Sequence, residues 1–127
     1  MENIFGDYIS IYTRAEALAD GELVDVTSTA REAGFKFPVA VTRSVWDGIV
    51  KPDKTAENRG ESESGRLWDI LFMLLVAIKR GQGDTSMVKY KVIATHKGRH
   101  KTHELVAVIG PGDTPEPVLT IMLPGED

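Results

Sequence analysis

The longest apolar run of the chain extends from Leu67 to Ile78 and contains a single charged residue, Asp69. A helix needs roughly 20 apolar residues to cross a bilayer, so this run predicts a core helix, from about Arg66 to Arg80. Because apolar side chains occupy all sides of such a helix, other elements must cover it on most sides. The sequence therefore predicts a fold built around one long buried helix.

The size and composition of the chain predict one folded domain, residues 1–127. Hydrophobic residues make up 42% and charged residues 27% of the chain, which is ordinary for a globular protein. There is no cysteine, which excludes disulfides, thiolate catalysis and cysteine-ligated zinc and is typical of a reducing compartment. Met1–Asp7 carries two acids and no base ahead of any apolar run, unlike a secretory signal. We expect a cytoplasmic protein that does not enter a membrane.

Short helices and strands are predicted in the N-terminal half. Thr13 and Glu16 form a capping-box pattern, which predicts a helix from Arg14 to Asp20 that ends at Gly21. Caps, periodicity and glycine stops predict the following elements in the same way: a strand within Glu22–Val26, a helix from Thr27–Thr29 through Ala33, a strand at Phe35–Val41, a helix at Arg43–Val50 and a solvated loop at Lys51–Gly65.

Three strands are predicted after the long helix. Apolar residues alternate with polar ones from Val88 to Thr95, Lys97–Lys101 is interpreted as a turn, and two more apolar runs follow at Glu104–Ile109 and Val118–Leu123. Consecutive strands joined by short turns favour an antiparallel meander. The predicted fold class is α+β, with the long buried helix packed on a C-terminal three-stranded antiparallel meander and with short N-terminal helices and strands.

Charge is distributed in blocks along the chain. Residues 79–103 hold 7 basic and 1 acidic side chain, and residues 104–127 hold 5 acids and no base. The basic block suggests a partner-binding hairpin over residues 89–101, formed by Lys89, Lys91, Lys97, Arg99 and Lys101. Such residues attract phosphates, but Tyr90 is the sole aromatic residue among them, which is too few for base stacking. A protein partner is favoured over nucleic acid, and an ordinary solvated face is the simpler interpretation.

Asp69 is a candidate catalytic residue because it interrupts an apolar helix. A carboxylate in such a place must be paired or lie near the rim of the core. Arg66 precedes it by three residues, so a local salt bridge is the favoured interpretation, and a buried functional acid is the alternative.

Arg14, Asp113 and Glu116 are the other catalytic candidates. Arg14 follows Tyr12-Thr13, and the two acids lie in the loop from Gly110 to Glu116. Acid–base catalysis needs one carboxyl group whose pKa is raised in a pocket, whereas loop acids are usually solvated. No nucleophile, metal-helix or dinucleotide motif accompanies these residues, and we expect no cofactor.

His96, His100 and His103 fall within eight residues, and imidazole is a common transition-metal ligand. Across a hairpin His96 and His103 could face each other. The lysines and arginine around His100 would repel a cation, so a polar hairpin without metal is the favoured interpretation.

Several motifs together resemble those of a small bacterial family that is known only as a domain of unknown function, and whose members are often encoded on plasmids and other mobile elements. The motifs are Tyr12–Leu18 with Gly21 and Asp25-Val26, Ala30–Phe35, Pro38–Thr42, Arg66–Asp69, Gly110–Asp113 and Glu116–Val118. The resemblance covers nearly the whole chain and implies a bacterial accessory protein, but it implies no activity and no site residues.

These observations favour a non-enzymatic protein that binds a macromolecule, in plasmid maintenance or in modulation of host defence. The alternative is a small enzyme with a site near Asp69, Arg14 and the Gly110–Glu116 loop. A third hypothesis is a homodimer, formed through an uncovered face of the long helix or through an edge strand.

Overall fold

The computed structural model describes residues 12–81 and 86–126, which form an α+β fold with a five-stranded mixed sheet. Met1–Asp7, which carries the expectation about a secretory signal, lies outside this range. In chain order the elements are α1 (Arg14–Asp20), β1 (Leu23–Asp25), α2 (Thr27–Ala33), β2 (Val39–Thr42), α3 (Arg43–Val45), a π-helical turn (Trp46–Val50), α4 (Lys54–Asn58), α5 (Glu63–Lys79), β3 (Met87–His96), β4 (Arg99–Pro111) and β5 (Pro117–Met122).

The sheet has the strand order β1-β2-β5-β4-β3. The last three strands of the chain pair antiparallel with their sequence neighbours, while β5 also pairs parallel with β2. The prediction of a three-stranded antiparallel meander as the sheet is therefore not confirmed, because the N-terminal strands extend the sheet beyond β5. This pairing leaves β3 at one edge of the sheet and β1 at the other.

One face of α5 packs on the sheet and forms the centre of the core. Ile70, Leu71 and Leu74 are fully buried, where they meet apolar residues of the strands such as Leu105 and Ile121. The opposite face contacts solvent, since Trp68 is 40% and Phe72 52% exposed. The prediction of a helix covered on most sides is therefore wrong: in a two-layer fold the sheet covers a helix from one side.

The local signals of the N-terminal half predict its helices well. The capping box of Thr13 and Glu16 is formed, and Gly21 adopts the left-handed conformation at the end of α1. Thr42 caps α3 as expected, but the helix continues as a π-helical turn. The expected loop at Lys51–Gly65 contains α4, which Asp53 caps by accepting a hydrogen bond from the Ala56 N–H at 2.9 Å. No helix within the described ranges has the length and apolarity that a membrane crossing requires.

Candidate functional site

β3 and β4 form a hairpin that carries the basic block. The turn consists of Lys97 and Gly98, whose φ angles of 51° and 80° are both positive, as in the tightest hairpin turns. The predicted turn over Lys97–Lys101 is wrong, because β4 already begins at Arg99. The turn is held in place by Asp53, whose Oδ2 accepts a hydrogen bond from the Lys97 N–H at 2.8 Å.

The basic side chains of the hairpin do not share one face of the sheet. All are exposed: Lys89, Lys91, Lys97, Arg99 and Lys101. Residues paired directly across an antiparallel ladder lie on the same face, and β3 alternates buried and exposed positions. Lys89 and Lys91 lie on the face away from α5, whereas Lys101 pairs with the buried Ala94 and so belongs to the face of α5. The structure thus divides the basic block that is continuous in the sequence.

A groove of about 440 Å³ lies between α5 and the edge strand β3. Met73, Val76 and Arg80 line it from the helix, and Lys89 and Lys91 line it from the strand. None of these three cations forms an ion pair with another described residue. Arg80 therefore adds a positive charge to the apolar wall formed by α5. The side chains of Lys89 and Lys91 border the groove from the opposite face of the sheet, where Glu104 is the direct cross-strand neighbour of Lys91.

The main chain of β3 presents hydrogen-bonding groups along this edge. The Thr95 carbonyl accepts a hydrogen bond from Nη2 of Arg66, so it is directed away from β4. Both backbone groups of a strand residue point to the same side, and alternate residues share that side. Ile93, Lys91 and Lys89 therefore direct their N–H and C=O groups outward, where the described part of the chain supplies no further strand.

A buried tyrosine fixes the spacing between the two walls of the groove. Tyr90 also lines the groove, and its hydroxyl donates a hydrogen bond to the Ile70 carbonyl of α5 at 3.2 Å. Burial raises the pKa of Tyr90, because the phenolate would lose its hydration. The hydroxyl is therefore protonated near neutral pH and donates this hydrogen bond.

Arg66 connects the other end of β3 to the core. It is 7% exposed; its Nε and Nη2 donate to Oε1 of Glu61 at 3.1 and 3.0 Å, and its Nη1 donates to the Ile49 carbonyl at 2.9 Å. A hydrogen bond from the Thr95 side chain, together with Arg66, holds the pKa of Glu61 below its usual range. The expected salt bridge from Arg66 to Asp69 is wrong, because Glu61 takes that place.

Asp69 lies on the exposed side of α5. It forms no ion pair with any residue in the described ranges, and it lines a shallow cleft together with Trp68 and Gly65. The expectation that Asp69 could be buried is therefore wrong, while a functional role for it stays a prediction. A helix that is apolar along its sequence contains a solvated position here because only one of its faces is covered.

Arg14 and Asp113 are brought together, but by bonds that hold the fold. The Asp113 carboxylate accepts hydrogen bonds from the N–H groups of Arg14 at 2.8 Å and Ala15 at 2.9 Å, at the first turn of α1. The guanidinium of Arg14 donates to Oγ1 of Thr120 at 2.7 Å and to the Leu119 carbonyl at 3.2 Å. Partial burial lowers the pKa of Arg14, against the effect of nearby acids. Both side chains are engaged in joining α1 to β5 and its preceding loop.

The residues of the enzyme hypothesis are divided between separate clefts. Arg14 and Asp113 line one of about 510 Å³, while Asp69 lines others beside Arg66 and Glu61. Glu116 is exposed; its carbonyl accepts a hydrogen bond from the Gly112 N–H at 3.3 Å. The clefts found on the described chain do not join Asp69 to Arg14.

The histidines do not face each other across the hairpin as expected. His96 pairs with Arg99, and His103 pairs with Val92. Partial burial and the neighbouring cations, among them Lys101, lower the pKa of His103. Within the described ranges no group of three or more potential ligands is arranged to hold a metal ion.

Sequence reasoning missed the helical wall of the groove. Met73, Val76 and Arg80 follow one another at spacings of three and four residues, which places them along one stripe of a helix. This spacing was the available signal, but it gains meaning only once β3 is known to lie at the edge of the sheet.

Comparison with known proteins gives a family without an assigned activity. No curated protein and no solved structure matches the chain. The family described as "Family of unknown function (DUF6573)" matches residues 1–127. The chain therefore belongs to the DUF6573 family, a family of unknown function.

Proposed function

We propose that the protein is a non-enzymatic binding module, which receives an extended acidic segment of a protein partner along the outer edge of β3. One observation carries the proposal: the edge of β3 from Lys89 to Ile93, which pairs with no other described strand, lies beside a groove bordered by Arg80, Lys89 and Lys91. An added strand would gain main-chain hydrogen bonds, while the groove would select its side chains.

Charge and spacing define the segment that fits. Lys89 and Lys91 are two residues apart on one strand, so their Cα atoms are separated by about 7 Å. Carboxylates at alternate positions of an added strand have the same spacing. The residues between them would point toward α5, where Met73 and Val76 form the apolar wall. The preferred segment therefore alternates acidic and apolar side chains.

The same features disfavour two other occupants. A second copy of β3 would place its own lysines beside Lys89 and Lys91, and like charges at an edge oppose pairing. Nucleic acid would bind poorly, because Arg99 and Lys101 lie on the other face of the hairpin from Lys89 and Lys91. The four side chains therefore cannot contact successive phosphates of one strand.

The enzyme alternative is weaker, since its residues already have other roles. Asp113 and Arg14 are engaged in bonds between α1 and its neighbours, and Asp69 lines a different cleft. Because the chain resembles a bacterial family whose members are often encoded on mobile elements, we further propose an accessory role for the binding module, in plasmid maintenance or in modulation of host defence.

A fluorescence anisotropy titration with a labelled peptide of alternating valine and glutamate tests the proposal. We expect saturable binding that weakens as ionic strength rises, and much weaker binding of the same peptide with glutamine in place of glutamate. The double variant Lys89→Gln/Lys91→Gln should raise Kd about tenfold, equivalent to ~1.4 kcal/mol.

The double variant Lys97→Gln/Lys101→Gln is the matched control. It removes the same charge from the same hairpin, outside the groove, and should leave Kd within about twofold, as expected for distant rim charges. An equal loss of affinity in both double variants would show that nonspecific electrostatic attraction, and not the groove, binds the peptide. Tighter binding of a single-stranded DNA oligonucleotide than of the acidic peptide would also contradict the proposal.

A further inference from the structure

The solvent-exposed side of α5 carries an apolar stripe that the proposed groove does not use. Trp68 is 40% exposed, Phe72 is 52% exposed, and Leu75 is partly exposed. These residues and Lys79 follow one another at spacings of four, three and four, the pattern of a seam between two packed helices. None of the four lines the groove beside β3. Large exposed aromatic groups in one stripe are typical of an interface.

We propose that this stripe is covered by α5 of a second copy of the chain, packed antiparallel in a symmetric dimer. Charge complementarity identifies the occupant. On the exposed side of the helix, Asp69 lies in the N-terminal half and Lys79 lies at the C-terminal end. Neither side chain forms an ion pair inside the described ranges. Antiparallel packing places acid against base at both ends, whereas parallel packing places like charges together.

The spacing of the stripe fixes the register of the two helices. A twofold axis between Phe72 and Leu75 places Phe72 of each copy on Leu75 of the other. The same axis brings Lys79 of one copy to Trp68 and Asp69 of the other. The ammonium group then meets both an indole face, to which cations are attracted, and a carboxylate. A twofold interface repeats each contact, so every residue of the stripe acquires a partner.

Analytical ultracentrifugation of the full chain across a range of concentrations tests the inference. We expect a monomer–dimer equilibrium for the wild type. Phe72→Lys should weaken the dimer by at least about a hundredfold, because two buried aromatic contacts are lost per dimer. Ile93→Lys is the matched control, because Ile93 is exposed by 62% on the sheet and lies outside the stripe. This variant should dimerise as the wild type does.

A charge exchange tests the orientation. Asp69→Lys and Lys79→Asp should each weaken the dimer about tenfold through like-charge contacts, and the double variant Asp69→Lys/Lys79→Asp should restore it. Within one helix these residues are ten positions, roughly 15 Å, apart, so the restoration can arise only between copies.

Three results would overturn the inference: a monomer at every concentration, equal weakening by Phe72→Lys and Ile93→Lys, or a double charge variant no better than the single ones. Circular dichroism of each variant establishes that it is folded. The peptide titration described above is independent of this result, because the stripe and the groove share no residue.

Discussion

Arg66 and Arg80 lie near the two ends of α5 and differ in their burial and in their interactions. Arg66 is 7% exposed and donates hydrogen bonds to Glu61 and to two carbonyl groups. Arg80 is exposed, lines the groove and forms no ion pair among the described residues. Their difference teaches that charge alone does not mark a binding residue: the charges available to a partner are those that the fold leaves unpaired.

The same contrast occurs in the loop before β5. Asp113 and Glu116 are three residues apart in sequence, but Asp113 accepts two hydrogen bonds from the start of α1, while Glu116 contributes backbone groups to its own loop. Both acids look equally available in the sequence. The tertiary contact with α1 makes one of them structural.

The largest expected effect distinguishes the two arginines. Arg66→Met retains most of the side-chain volume but removes the guanidinium that donates hydrogen bonds to two carbonyl groups and to Glu61, which keeps only its bond from the Thr95 side chain. It should lower the free energy of unfolding by about 3 kcal/mol, as measured by urea denaturation. Arg80→Met should change it by less than about 0.5 kcal/mol, as is usual for exposed positions. A similar decrease in the free energy of unfolding in both variants would contradict the distinction between a structural Arg66 and an Arg80 that is free to bind a partner.

A smaller effect separates the two loop acids. Asp113→Ala removes the acceptor of two N–H groups at the first turn of α1 and should cost about 1 kcal/mol of stability. It should also speed hydrogen exchange at the amides of Arg14 and Ala15. Glu116→Ala is the control and should alter neither quantity, so a destabilisation by Glu116→Ala equal to that by Asp113→Ala would count against the assignment.

The smallest effect concerns the anchoring of the hairpin by Asp53 and depends on pH. Hydrogen bonds from the N–H groups of Ala56 and Lys97 hold the pKa of Asp53 below its ordinary value of 3.8. A pKa lowered by folding means that the ionised carboxylate stabilises the native state. This contribution is present above about pH 4 and is lost as the pH falls through the lowered pKa.

The variant Asp53→Asn isolates this contribution. It retains an oxygen that can accept a hydrogen bond but cannot ionise, so it should be less stable than the wild type near neutral pH. The difference should shrink as the pH falls below 3.8, the ordinary value for this carboxyl, in thermal unfolding followed by circular dichroism. A constant difference across that range would show that the charge of Asp53 plays no part.

Elements with strong local signals were predictable from the sequence. The caps and stops of α1, the apolar run of α5 and the alternation in β3 are properties of neighbouring residues, and the structure contains each of them. The prediction of a loop at Lys51–Gly65 was wrong because α4 is only five residues long. Its N-cap, Asp53, is visible in the sequence, but the contact of Asp53 with the hairpin turn is not.

The candidate site was predictable only in part. Lys89 and Lys91 were expected to bind a partner, and they line the groove, while their binding role stays a prediction. The opposite wall of the groove, formed by α5, could not be predicted, because it borders a groove only if β3 lies at the edge of the sheet. That depends on the parallel pairing of β2 with β5, a contact between residues about 80 positions apart that no local pattern specifies.

Residue-resolved amide hydrogen exchange, with and without the acidic valine–glutamate peptide, tests the central claim most directly. The outward N–H groups of Lys89, Lys91 and Ile93 should exchange freely in the absence of the peptide and become protected in its presence. The amide of Val92, which points toward β4, should change little. Protection confined to other segments, or binding without any protection at Lys89, Lys91 and Ile93, would contradict strand addition at this edge.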